Sequence, residues 1–189
     1  RVVSSIPGFE LYAKESGDED FIIVCEGGTD AFKGHPDLDH RAYDNWHKNL
    51  FTEKLKDKDV VSPEPYRIWE YYNQKCSLAQ GYDIAINNKG LRDLPKPRMF
   101  LSKEELLMGR QIVNQVKEKL KKEKVIIIQP FGRGINHVDN TFVDSTGRSI
   151  EFKDLKELIR KLQENDFAVI TMAEMGFDFT KDKFKDDVA

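Results

Sequence analysis

Four consecutive aliphatic residues, Val125, Ile126, Ile127 and Ile128, stand between Lys124 and Gln129. A short continuous apolar run of this kind is the habit of a central parallel strand buried on both faces. Pro130 ends the run, Phe131 follows, and Gly132 and Gly134 then bracket Arg133. Glycines let the backbone turn tightly and approach a ligand, while a guanidinium between them offers charge to an anion. Ligands of open parallel sheets sit off the carboxyl ends of strands, and this is such an end. About 20 residues pass before the next clear helix, long for a connection in a compact domain, which predicts a binding loop.

The rest of the chain reads as helices alternating with strands. Residues 4–15 carry Ile6, Phe9, Leu11 and Tyr12, a helix weakened by Pro7 and Gly8. Residues 21–25 form a short apolar strand that exits into Glu26-Gly27-Gly28-Thr29-Asp30. A ligand loop and a plain strand-to-loop turn are both open there, the turn being the commoner. Ser62-Pro63-Glu64-Pro65 opens a predicted helix on which Tyr66, Trp69, Tyr72 or Asn73, Cys76 and Ala79 recur. A buried aromatic stripe is the commoner use of that spacing and a sugar platform the rarer one. Residues 82–86 then read as another strand.

Pro95 and Pro97 mark a boundary, predicting a domain over residues 1–94, a linker over 95–102 and a second domain over 103–189. Ser102 with Glu105 forms a capping box, and Leu106, Gly109, Val113, Val116 and Leu120 supply one apolar face. Phe152, Leu155, Leu158, Ile159 and Leu162 give a further amphipathic helix before a strand at residues 167–172. The fold class expected is α/β, parallel sheets with covering helices. Two strands cannot make a stable second sheet alone. Together with a start at Arg1 inside a predicted helix, this predicts a piece of a longer protein.

Composition excludes more than it selects. A net charge of -3 gives no support to nucleic acid as the main partner. Apolar runs of at most about five residues cannot span a membrane, so peripheral contact is the most expected. Cys25 and Cys76 lie in predicted regular elements without CxxC spacing, which suits reduced thiols in the cytoplasm. His35, His40 and His47 with Asp37, Asp39 and Asp44 tempt a metal reading, but the spacings fit no closed zinc pattern and the surroundings read as a polar connection. No metal and no cofactor are expected.

Anion recognition has three sources near residue 130: Arg133 between its glycines, Arg148 in Gly147-Arg148-Ser149, and a helix starting near Ile150 with Ser149 as its cap. Neither a P-loop nor a GxGxxG fingerprint is present. A phosphorylated ligand and a purely structural loop are both open. Glu174, past the last strand, stands at a neighbouring strand end, either at the same ligand or as an ordinary loop carboxylate.

The stretch VIIIQPFGRG, then RSIEFKDLKELIRKL and FAVITMAE, resembles the first half of the C-terminal domain of the heptosyltransferase-like glycosyltransferases, family 9. HPDLDHRAYD and GYDIAINNKG are similar in order to the later part of that family's N-terminal domain. The resemblance implies a GT-B-like fold, two Rossmann-like parallel-sheet domains facing across a cleft, both incomplete in this chain. It implies metal-independent, inverting transfer of a sugar from a nucleotide-sugar donor to a glycan or lipid-linked acceptor. Residue by residue, Pro130, Phe131, Gly132, Arg133 and Gly134 would lie at the donor diphosphate, with Arg148 and Ser149 near the same phosphates and Glu174 on the nucleotide side. The family's glycine-rich first loop with its proposed catalytic Asp, and its later Asp-Ser or Asp-Thr motif with Gly and His, do not occur in this sequence. The catalytic residues therefore stay unknown. Two rivals remain, a non-catalytic nucleotide or sugar-phosphate binding module and a protein-interaction domain.

Overall fold

Pro7 and Gly8 lie inside a continuous helix, α1 (Val2–Glu15), whose side chains Ser5, Ile6 and Glu10 are buried. The computed structural model describes residues 2–132, 135–138, 141–144 and 146–172. The chain divides into two compact units, residues 1–103 and 104–189.

In the first unit α1 packs on a helix, α3 (Leu78–Asn87), where the sequence pattern predicts a strand over residues 82–86. The capping box decides the difference. Ser77 accepts from the Gln80 amide while the Gln80 side chain accepts from the Ser77 amide, so the helix nucleates before the alternating apolar residues arrive. Gly8 is where the two helices meet. A Cβ added there would stand 3.2 Å from the Asp83 Cα and 3.1 Å from the Ile86 Cδ1. The predicted aromatic helix shrinks to a turn at Pro65–Arg67 and the single-turn α2 (Trp69–Tyr72). Gln74 in a left-handed conformation breaks it, and Trp69 and Tyr72 stay 59% and 79% exposed rather than forming a buried stripe.

A two-stranded parallel sheet joins β1 (Ile23–Cys25) to β2 (Ala42–Asp44), with Ile23 opposite Ala42 and Cys25 opposite Asp44. β2 falls in the stretch expected to be a polar connection. The same stretch contributes Leu38 to a core with Ile6, Ile23, Cys25 and Phe32. His35 is buried too. The Asp37 amide donates to its Nδ1 (3.3 Å), which leaves Nε2 to donate to Glu10 Oε1 at 3.0 Å. Arg98 donates to the same oxygen at 2.7 Å. Burial would raise the Glu10 carboxyl, but these hydrogen bonds outweigh it and hold it below the usual range. Asp83, equally buried, takes a bidentate pair from Arg92 at 2.7 and 2.8 Å.

The second unit holds α4 (Lys103–Leu120), β3 (Lys124–Ile128), β4 (Ile135–Val138), β5 (Thr141–Asp144), α5 (Phe152–Glu164) and β6 (Phe167–Thr171). β3 and β6 pair in parallel, Val125 opposite Ala168 and Ile127 opposite Ile170, and β4 and β5 form an antiparallel hairpin between β3 and α5. The expectation that β3 is buried on both faces is corrected, since Ile127 is 57% exposed. Only one strand flanks β3 among the described residues, and α5 covers the face that carries Ile128 and Val169. α4 fully buries none of its side chains: on its predicted apolar face Val113 and Val116 are half-buried, while Leu106 and Leu120 stay exposed. The chain is thus α/β, with two small parallel sheets and one hairpin among the described residues. No helix there is long and apolar enough to cross a membrane.

Candidate functional site

At the carboxyl end of β3 the chain turns through Pro130, Phe131 and Gly132. Phe131 is buried against Leu155 and Ile159 of α5, so it anchors the turn from below and is a core residue. The Pro130 carbonyl accepts from the Ile150 amide at 2.9 Å. The Gly132 amide donates to Ser149 Oγ, also at 2.9 Å. These two bonds brace the strand end against the approach to α5. The Met172 amide, donating to the Ile128 carbonyl at 2.8 Å, carries the β3–β6 pairing to the same end of the sheet.

The glycine at 132 is demanded by space. A Cβ there would stand 2.9 Å from the Arg148 Cβ, closer than real side chains come, and 3.5 Å from an Asp144 carboxylate oxygen. Arg148 therefore lies directly over the turn. Its side chain is exposed and has no ion pair with any described residue. Pro130, Phe131, Gly132, Arg148 and Ser149 are thus gathered at one place. Arg133, Gly134 and Glu174 lie outside the described residues.

Ser149 does not cap the helix, contrary to expectation. The N-cap of α5 is Glu151, in extended conformation and without a side-chain cap bond. Ser149, two residues upstream, has its hydroxyl engaged elsewhere: it accepts from the Gly132 amide. Glu151 and Asp154 already place negative charge at the positive end of the α5 dipole, which weakens that end as an attractor of phosphate. Of the three anion sources expected, Arg148 is the one among the described residues that remains free to meet a ligand.

Asp144 is the residue that sequence reasoning missed. Its carboxylate accepts from the hydroxyl and amide of Thr146, the latter at 2.7 Å, and from the Arg148 amide at 2.9 Å. The nearby Ser149 hydroxyl, then the hydroxyl and amide of Thr146 and the Arg148 amide, hold its carboxyl far below the usual range. The signal was present in Asp144-Ser145-Thr146-Gly147: an aspartate opening a turn with glycine in the fourth place, its side chain bonding the backbone two residues on.

No protein-family model matches the chain, and no curated protein or solved structure matches it.

Elsewhere the tempting sites dissolve into structure. His35 belongs to the core of the first unit, and no group of three or more metal-ligating side chains occurs among the described residues. Trp69 is overlain by the Lys75 ammonium, 4.2 Å from the ring centroid, which covers one face of the ring that a sugar would need. Cys25 is buried, and that burial pushes its thiol above the usual range, away from reactivity.

Proposed function

We propose that the second unit holds the diphosphate of a nucleotide-sugar donor and that the chain is part of an inverting, metal-independent glycosyltransferase. The observation that carries this reading is the exposed Arg148 seated over Gly132, at the carboxyl ends of two adjacent parallel strands. A guanidinium unpaired with any described carboxylate, carried at the mouth of a parallel sheet, suits a bidentate contact to phosphate. The VIIIQPFGRG and RSIEFKDLKELIRKL resemblance supplies the reaction class: a departing nucleoside diphosphate needs cationic stabilisation, and a glycan or lipid-linked hydroxyl is the acceptor. With this reading go a GT-B-like architecture, an acceptor-side domain over residues 1–94, a linker over 95–102 and a donor domain over 103–189.

One observation favours the quieter alternative of a nucleotide-binding module without turnover. Asp144, the carboxylate brought to this turn, is saturated by hydrogen-bond donors and is unfit to take a proton.

Calorimetric titration with ADP, GDP, UDP and CDP tests the reading. One nucleotide should bind in preference to the others, and Arg148→Ala should weaken it by about tenfold or more, the worth of a hydrogen bond to a charged group. Equal affinity in the variant, or no binding of any of the four, would overturn it.

A further inference from the structure

We propose that residues 98–100 form a proton-released latch: Arg98 and Phe100 strap this segment across the buried pair Glu10 and His35, and a proton on Glu10 lets it go. The inference does not depend on what the second unit binds. Residues 92–102 form no helix or strand, and side chains hold the segment in place. The Arg98 guanidinium donates to Glu10 Oε1 at 2.7 Å across 88 positions of sequence. The Phe100 ring meets the His35 ring edge-on, with centroids 5.0 Å apart. Gly34 admits this contact, since a Cβ there would stand 3.2 Å from the Phe100 carbonyl oxygen and 3.3 Å from the Phe100 Cβ. Glu10 and His35 are buried, whereas the Arg98 side chain is more than half exposed. Water therefore competes for the strap and not for the pair beneath it.

The placing of the donors couples the latch to one proton. Oε1 takes both hydrogen bonds, from Arg98 and from His35 Nε2 at 3.0 Å, while Oε2 is buried without a partner. With the latch closed, burial opposes the Glu10 charge but the bonds from Arg98 and His35 prevail, and the carboxyl stays below its ordinary range. With Arg98 gone, a buried carboxylate is left with one neutral donor, a state that burial disfavours and that a solvent proton on Oε2 relieves. Protonation in turn reduces the Arg98 contact from a charge-assisted pair to an ordinary hydrogen bond that water replaces. His35 keeps its bond to Oε1 in both states. Opening thus takes up a proton, and falling pH favours it. The other charged side chains on the surrounding elements are Lys14, Asp37, Asp39, Asp83 and Lys96. Asp39 accepts from the Gly34 amide at 2.9 Å, Asp83 is paired with Arg92, Asp37 favours the Arg98 charge, and none of the five bonds the Glu10 carboxylate.

NMR on the whole chain tests this. As the pH falls from about 7.5 to about 4.5, the Phe100–His35 ring contact should fade and the Met99 and Phe100 amide shifts should follow a one-proton curve, opening by up to about tenfold per pH unit. The β1–β2 amides should stay where they are. Glu10→Gln, which removes the charge and keeps the shape, should hold the Met99 and Phe100 amides at their acid positions at every pH. Arg98→Ala should do the same, and its Glu10 carboxyl should take up a proton at about tenfold lower proton concentration than in the natural chain. Met99 and Phe100 amides of Glu10→Gln that match the natural chain at neutral pH would overturn the latch. A Glu10 titration unmoved by Arg98→Ala would overturn its coupling to the proton. β1–β2 amides moving in step with Met99 and Phe100 would also overturn it, the whole unit then unfolding together. Should Glu10→Gln fail to fold, the exposed Arg98→Ala and the natural chain decide by themselves.

Discussion

Asp83 is one half of an ion pair with Arg92 in the first unit. It is buried, and both its oxygens are taken by Arg92, with Asn87 bonding one of them at 2.7 Å. Removing the guanidinium leaves a buried carboxylate short of its cation. Arg92→Ala should therefore destabilise the fold by about 2 to 4 kcal/mol, below the full range for buried pairs because Arg92 is partly exposed. Urea unfolding followed by far-UV circular dichroism measures this, and a loss under about 1 kcal/mol would class the pair with weak surface bridges. Neither this pair nor Glu10 with His35 was legible in the sequence. Glu10 and His35 are 25 positions apart, and nothing in composition distinguishes a core histidine from a loop histidine. Arg148 and Ser149 stand at the turn after β3 because that turn is local to the strand and helix flanking it. Ser149 as a helix cap was read from spacing alone, while its hydroxyl accepts from the Gly132 amide of the β3 turn.

Helices and strands were readable where one signal dominated. The stripe of Phe152, Leu155 and Ile159 made α5 plain, and the aliphatic run made β3 plain. Residues 82–86 misled because their alternation mimics a strand while the deciding capping box lies upstream at Ser77. α1 shows the converse: a glycine that lowers helix propensity is retained where it lets a second helix approach. Gly8→Val should destabilise the α1–α3 contact by about 1 to 3 kcal/mol through overpacking, because the nearest atoms include α3 backbone that cannot swing aside. The same unfolding measurement checks it. A neutral Gly8→Val would mean that α1 shifts along α3 without loss.

Across the molecule, the first unit depends on carboxylates held ionised. Glu10 titrates below its ordinary range because hydrogen bonds from Arg98 and His35 outweigh burial, and Glu15 does so through hydrogen bonds from Lys89 and Arg92. A carboxyl whose folded pKa is depressed binds protons more readily in the unfolded chain. Its stabilisation is complete above the unfolded value near 4.5 and is lost as pH falls through the folded value. Urea midpoints should therefore hold level from neutral pH to mild acid and drop below about pH 4.5, with Glu10→Gln flattening part of the drop. A midpoint indifferent to acid would remove these carboxylates from the stability of the unit. The sequence by itself determined the α/β class, β3 and α5, and the turn that joins them, because periodicity and strand-ending residues act over a few neighbours. Tertiary structure alone decided that His35 is core and that Gly132 makes room for Arg148. Each of those outcomes depends on a partner distant in sequence or on a geometry that no local pattern encodes.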